Sequence, residues 1–254
     1  MTYDTISKTV CALGVMAKAP IAGEVKTRLV PPLTEQEAAE LSVCFLRDMA
    51  ANIASVSETE AASGLVVYTP PGSESAFDRV LPEGFKLLVQ RGTSLGERLY
   101  NATDDLLRKG YGAVCLINSD SPTLPSWILI QAIELLATDG DRVVLGAAED
   151  GGYYLIGLKH AHRNLFNEIA WSTSEVLART RQRAAEIDLP VELLPPWYDV
   201  DDAETLSRLC EELFLNRFPE EACPAPHTRG FLKSIIETEG PQRICPKLSG
   251  RMST

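Results

Sequence analysis

The chain has 254 residues, 45% of them hydrophobic and 23% charged, and 24 Lys+Arg against 35 Asp+Glu give a formal net charge of −11. That length suits one large α/β domain or two small ones with an ample core, and ordinary apolar content excludes global disorder. The acidic balance argues against a nucleic-acid partner, which needs a basic face. No apolar run approaches the ~18 residues of a membrane span. Met1–Lys8 lacks the charged start, apolar centre and small-residue cleavage site of a signal peptide, so a cytoplasmic location is expected.

Short β-rich runs alternate with longer helical ones. In chain order the pattern predicts a strand at Val10–Ala17, a helix at Glu35–Ala54, and strands at Leu65–Thr69 and Phe85–Gln90. A helix at Leu95–Lys109, a strand at Ala113–Asn118 and a helix at Trp127–Ala137 follow. Strands at Arg142–Gly146 and Tyr153–Leu158, a helix at Ser174–Ile187, a strand at Val191–Leu194 and a helix at Asp202–Asn216 complete the series. Capping-box spacing marks three helix starts: Thr34 with Glu37, Ser94 with Glu97, and Asp201 with Glu204. Strands separated by helices imply parallel pairing and a sheet covered on both faces, hence one α/β domain over residues 1–216. Residues 217–254 carry Phe-Pro, Cys-Pro-Ala-Pro, Gly-Pro and Cys-Pro, a density that breaks regular elements. They are expected to form an arm that packs on the domain or on a neighbouring subunit, with a frayed end, and that offers a contact for a homodimer.

Several chemistries are excluded. The six cysteines form no CxxC pair and read as buried free thiols. There is no GxGxxG after the first strand and no GxSxG elbow. His160, His162 and His227 each read as a lone surface group, and Cys223 with His227 lacks a second ligand pair.

What remains lies at strand ends. Lys18, Lys26 and Arg28 sit on a Pro/Gly loop after the first strand, where Gly23 lets backbone approach a phosphate and the cations neutralise it. Asp120 follows a central strand, at the edge where open α/β sheets bind ligands, and one carboxylate there can hold a hard divalent cation. In Asp199-Val-Asp201-Asp202-Ala-Glu204, helix capping accounts for Asp201 and Asp202 but not for Asp199, a candidate second metal carboxylate. Asp150-Gly151-Gly152-Tyr153 reads either as a hairpin turn or as a point of close ligand approach. Gln90-Arg-Gly92 enters a capped helix through Arg98, whose free N–H groups can meet an anion or a base edge. Trp171-Ser172-Thr173 supplies an aromatic face and hydroxyls, with Trp171 equally suited to packing.

Taken in order over roughly residues 12–210, these segments resemble the glycosyltransferase-A-like nucleotide-diphospho-sugar transferases, and more closely the DUF2064 or "transferase 1" family. The matching residues are Lys18-Ala-Pro, Gly23-Glu-Val-Lys-Thr-Arg-Leu29, Gln90-Arg-Gly, Leu95-Gly-Glu-Arg98, Ser119-Asp-Ser-Pro122, Asp150-Gly-Gly-Tyr-Tyr-Leu-Ile-Gly157, Trp171-Ser-Thr173 and Asp199-Val-Asp201. The resemblance implies a three-layer α/β/α sandwich on a mixed, mostly parallel sheet. It implies that Lys18, Gly23, Lys26 and Arg28 hold the nucleotide phosphates, that Gln90, Gly92 and Arg98 line the base and ribose pocket, and that Thr27 and Ser119 also bind the nucleotide. Asp120 matches the single aspartate standing for a DxD motif, and Asp201 the closing aspartate of an Asp-Val-Asp-Thr pattern. Asp202 replaces the usual Thr, which leaves Asp199 and Asp201 as alternative ligands for Mg²⁺ or Mn²⁺.

The expected activity is metal-dependent transfer of a sugar from a nucleotide-sugar to a small-molecule acceptor. Asp120, Asp150 and Lys26 are the catalytic candidates; Gly151, Gly152, Tyr153, Trp171, Ser172 and Thr173 are the acceptor-pocket candidates. Transfer of a nucleotidyl group from a triphosphate to a phosphorylated small molecule, with pyrophosphate release, is the first alternative. A non-catalytic nucleotide-binding pathway protein is the second.

Overall fold

A run of eight residues with scarcely a polar group cannot leave either face in water. In the computed structural model, which describes residues 9–215 and 222–248, it becomes β1 (Cys11–Lys18), an interior strand of the sheet. The helix α1 (Glu35–Thr59), β2 (Ala62–Thr69), β3 (Lys86–Val89), α2 (Leu95–Arg108) and β4 (Ala113–Ile117) follow. Then come α3 (Ser126–Ala137), the hairpin β5 (Val143–Ala148) and β6 (Tyr153–Leu158), α4 (Val176–Ala185), β7 (Val191–Trp197) and α5 (Ala203–Leu215). The seven strands lie in the order β3-β2-β1-β4-β6-β5-β7. Only β6 runs antiparallel to its neighbours β4 and β5; every other pairing is parallel. The sheet is therefore mixed and mostly parallel, as expected.

Alternation along β1 divides the core. Cys11, Leu13, Val15 and Ala17 join one cluster with Met49 and Ile53 of α1 and Ile128 and Ala132 of α3. Ala12 faces the other side with Leu65 and Val67 of β2 and Leu99 and Leu106 of α2. Each fully buried Val, Leu, Ile or Met side chain contributes about 1.5–3 kcal/mol relative to an exposed one, so the three layers follow from the two-sided burial of the strands.

All the expected strands and helices form, with shifted ends. Helix α1 continues to Thr59, and within its last turns the hydroxyls of Ser57 and Thr59 donate back to the carbonyls of Ile53 and Val56. Strand β7 runs on through Pro195 and Pro196 to Trp197, which an edge strand tolerates. The capping boxes at Thr34 and Ser94 are present as expected. The third is not the expected one. Asp202 Oδ1, not Asp201, accepts the first-turn N–H at 2.9 Å, and the donor is Thr205 rather than a residue paired with Glu204. Either aspartate has the oxygen for a cap, and Thr205 lies three residues after Asp202, so the cap falls one position later.

The Pro-rich arm holds a regular helix, α6 (Pro226–Glu239), that proline density alone did not predict. Its proline sits in the first turn, where no helical N–H is lost. The buried carboxylate of Asp48, on α1, accepts the N–H groups of His227 and Thr228 at 3.0 and 2.8 Å and so caps α6 from outside. Leu232, Ile235, Ile244 and Cys245 of the arm share a third core with Leu29, Phe45, Val200 and Leu206. The expected frayed end and the Met1–Lys8 stretch lie outside the described residues. All six cysteines are free, and four of them are buried. No helix among the described residues is long and apolar enough to cross a membrane.

Arg243 also ties the arm to the capping box of α1, donating to Glu37 Oε1 at 2.9 Å and also to Glu37 Oε2. Burial alone would raise the Glu37 pKa, but the bonds from Arg243 and Thr34 outweigh it and hold the carboxyl below its ordinary 4.5. A depressed folded-state pKa means stability that is present above about 4.5 and lost as pH falls through the folded value. Melting temperatures of the wild type and Glu37→Gln are therefore expected to differ at pH 7 and to converge as pH falls below 4.5 and through the lowered folded value; a constant difference would assign the effect to packing instead.

Candidate functional site

The carboxyl ends of β1 and β4 lie side by side, since Val15 pairs with Ile117. The chain leaving β1 bends through Lys26, whose backbone is left-handed (φ 49°), into a short turn at Thr27–Leu29. Leu29 is fully buried in the third core, which anchors the turn. The chain leaving β4 reaches Asp120, and the segment after β7 runs alongside it through a 2.9 Å bond from Val200 N–H to the Asp120 carbonyl.

These three segments close on one ammonium. Lys26 Nζ lies 2.7 Å from Asp120 Oδ1 and 3.1 Å from Asp201 Oδ1, and donates to the Val200 carbonyl at 2.7 Å. The Lys26 side chain is only 7% exposed and lies 5.3 Å from the Phe45 ring centroid. Arg28 Nη2 reaches the other oxygen of Asp201 at 3.0 Å. With Asp202 serving as the helix cap, Asp201 is left to face the cations. Ser119 Oγ donates to Asp120 Oδ1 at 3.1 Å.

Above this cluster opens a pocket of about 330 Å³ whose lining includes Lys18, Lys26, Thr27, Arg28, Ser119, Asp120 and Asp201. Lys18, on its rim, donates to the Glu24 carbonyl at 3.0 Å. Gly23, with φ 77°, turns the loop beside the pocket without lining it.

Asp199 has different surroundings. Ser121 Oγ and Asn118 Nδ2 both donate to its Oδ1 at 2.6 Å. Burial pushes its pKa up to about 6 against these two bonds, helped by the charges of Asp120 and Asp201. It does not line the pocket and instead braces the Asn118–Ser121 turn.

The remaining candidates stand apart from the pocket. Gln90 Nε2 donates to the carbonyls of Val67 at 2.8 Å and Ala17 at 3.3 Å, locking the ends of β1 and β2, and Arg98 donates to the Gly92 carbonyl at 3.3 Å. Asp150 is exposed in the β5–β6 turn and accepts the Gly152 N–H at 2.8 Å. Gly151 N–H donates to the Ala148 carbonyl, so this segment is a hairpin turn on the same sheet edge as Asp120. Tyr153 meets Trp171 edge to face at 6.4 Å, Ser172 is left-handed (φ 64°), and Thr173 Oγ1 donates to the Ala170 carbonyl at 2.7 Å.

One cluster corrects the sequence reading. His160 and His162 are not lone surface groups: both ring systems pair with Asp141. Among the described residues, Asp141, His160 and His162 form the one group of three such side chains with ligand atoms within 4.8 Å of one another. The signal available in sequence was the His-Ala-His spacing directly after a strand.

The mixed, mostly parallel sheet is the fold of solved proteins described as nucleotide-diphospho-sugar transferases and nucleotidyltransferases. Residues 52–173 match the model of the family described as uncharacterized protein conserved in bacteria (DUF2064), in agreement with the resemblance read from sequence. A protein from Desulfovibrio desulfuricans G20, described as a candidate nucleotide-diphospho-sugar transferase, is 28% identical with a TM-score of 0.76, over 91% of this chain and 96% of that one. The CMP:2-keto-3-deoxy-manno-octonic acid synthetase complexed with CTP is 11% identical at TM-score 0.50, over 82% and 99% of the two chains. The 4-diphosphocytidyl-2C-methyl-D-erythritol synthase of Anaerococcus prevotii DSM 20548 is 9% identical at TM-score 0.50, over 84% and 100%. These last two share the fold. No curated protein matches the chain.

Proposed function

We propose that the chain is a nucleotide-utilising transferase that moves a sugar from a nucleotide-sugar to a small-molecule acceptor. The observation that carries this reading is the pocket at the carboxyl edge, where Lys18, Lys26 and Arg28 meet Asp120 and Asp201. Similarity to the Desulfovibrio protein over nearly the whole chain supports sugar transfer in particular.

Lys18 and Arg28 would grip the diphosphate oxygens, while Lys26, fixed by two carboxylates and a carbonyl, presents a positive floor. Preorganised charge of this kind stabilises the negative charge that develops on the departing diphosphate. Asp120 and Asp201 offer only oxygen donors, already converge on one cation, and keep 31% and 30% of their side chains exposed. That donor set fits Mg²⁺ or Mn²⁺, which when bound would add Lewis-acid neutralisation of the phosphates. Asp150, exposed on the same edge, is assigned the acceptor hydroxyl's proton, and Tyr153, Trp171 and Thr173 the acceptor side. The acceptor oxygen then bonds to the sugar carbon as the bond to the diphosphate oxygen breaks and the nucleoside diphosphate leaves.

The test is a thermal-shift panel of nucleotide-sugars and nucleoside triphosphates with Mg²⁺ or Mn²⁺, followed by product analysis. A ligand at 100 times its Kd should stabilise the wild type by about 2.7 kcal/mol, or roughly 5–10 °C for a chain of this size. Asp120→Ala should lose most of that shift. Binding indifferent to both the metal and Asp120 would refute the metal-assisted site, and pyrophosphate among the products would assign nucleotidyl transfer instead.

A further inference from the structure

The sheet has a second edge, where the parallel strands begin, and a group there takes no part in the pocket. Val143 of β5 pairs with Leu158 of β6 and Leu158 with Val114 of β4, so the turn before β5 and the loop after β6 emerge together at the end opposite Asp120. That turn carries Asp141 and that loop carries His160 and His162. His162 Nε2 lies 2.7 Å from Asp141 Oδ2, and His160 Nδ1 lies 3.1 Å from Asp141 Oδ1.

We propose that Asp141, His160 and His162 form a second metal site, for a borderline transition cation of the Zn²⁺ type. Imidazole nitrogens with one carboxylate suit Zn²⁺ and its neighbours, whereas Mg²⁺ favours oxygen alone. The chemistry thus separates this site from Asp120 and Asp201, and it stands independently of the proposed activity.

The ligands are held by their surroundings. Asp141 Oδ1 also accepts the Arg142 N–H at 3.0 Å, and Lys159 Nζ donates to the Thr138 carbonyl at 2.6 Å, strapping the loop after β6 to the end of α3. The two nearby guanidinium groups are engaged elsewhere: Arg142 with the Asp139 carbonyl and Glu192, and Arg163 over the Tyr100 ring at 4.3 Å. A cavity of about 570 Å³, lined by Asp141, His162 and Asp188 among others, opens beside the group and leaves room for water at a fourth position.

The chain has three histidines, which makes the test direct. Full-length protein labelled with ¹⁵N-histidine is titrated with zinc chloride alone, and imidazole signals are followed by NMR while stoichiometry is measured by calorimetry. His160 and His162 should shift with about one Zn²⁺ per chain at this site, and His227 should stay. His160→Ala, at a side chain 68% exposed, should fold normally and weaken binding at least about tenfold. The double variant with His162→Gln should lose calorimetric Zn²⁺ binding at this site, and Asp120→Ala should leave the His160 and His162 shifts intact. No shift at millimolar Zn²⁺, equal movement of His227, or unchanged affinity in the folded double variant would overturn the proposal.

Discussion

A Lys26→Met chain is expected to bind nucleotide about 10- to 150-fold more weakly than the wild type, since a Lys26 N–H that turns from its present partner to a phosphate makes a hydrogen bond worth about 1.5–3 kcal/mol. The Lys26 side chain is 7% exposed and is held in place by Asp120, Asp201 and the Val200 carbonyl. Stability should fall as well, because Asp120, Asp201 and the Val200 carbonyl lose the buried cation that pairs them. Lys18→Met, at a side chain 46% exposed and paired with Glu24, should cost less affinity. Calorimetric titration of the two variants with the ligand found by the thermal-shift panel makes the comparison. Equal losses would mean that Lys26 serves the fold and not the phosphate.

The largest effect on stability is expected at Gly151. Its φ is 90°, and a Cβ there would stand 2.2 Å from the carbonyl oxygen of Ser174, a backbone atom with little room to retreat. Gly151 also bonds in both directions: its N–H to Ala148, and its carbonyl from Leu177 of α4 at 2.9 Å. A strained backbone and an overpacked contact cost about 1–3 kcal/mol each, so Gly151→Ala should lower the melting temperature by roughly 10 °C at 2–4 °C per kcal/mol. The hairpin tip and the start of α4 should lose amide-exchange protection first. Gly152→Ala is the control, because the nearest atom to its added Cβ is the side-chain oxygen of Asp150 at 3.1 Å.

Much of the fold was legible because it rests on local patterns. Two-sided burial marked β1 and β4, and the Thr34 and Ser94 boxes marked helix starts within three residues of chain. The convergence on Lys26 was not legible: Asp201 lies 175 positions away, and only the β1–β4 pairing and the course of the chain after β7 bring them together. Adjacent aspartates at 201 and 202 have the same capping oxygen, so sequence could not say which one caps and which one faces the cations. The arm misled through its prolines, since Pro226 opens α6 rather than breaking it. His160 and His162 looked solitary because their partner, Asp141, belongs to a different strand end.

The two outer strands of the sheet bear on how copies of this chain can meet. At one border β3 is four residues long and begins with an exposed lysine; at the other β7 carries two consecutive prolines, which have no N–H to offer. A short charged border and a donor-poor one are poor templates for continuing the ladder into another molecule. Crowded solutions of the folded chain should therefore resist edge-to-edge stacking, and any specific self-association has to use side-chain surfaces.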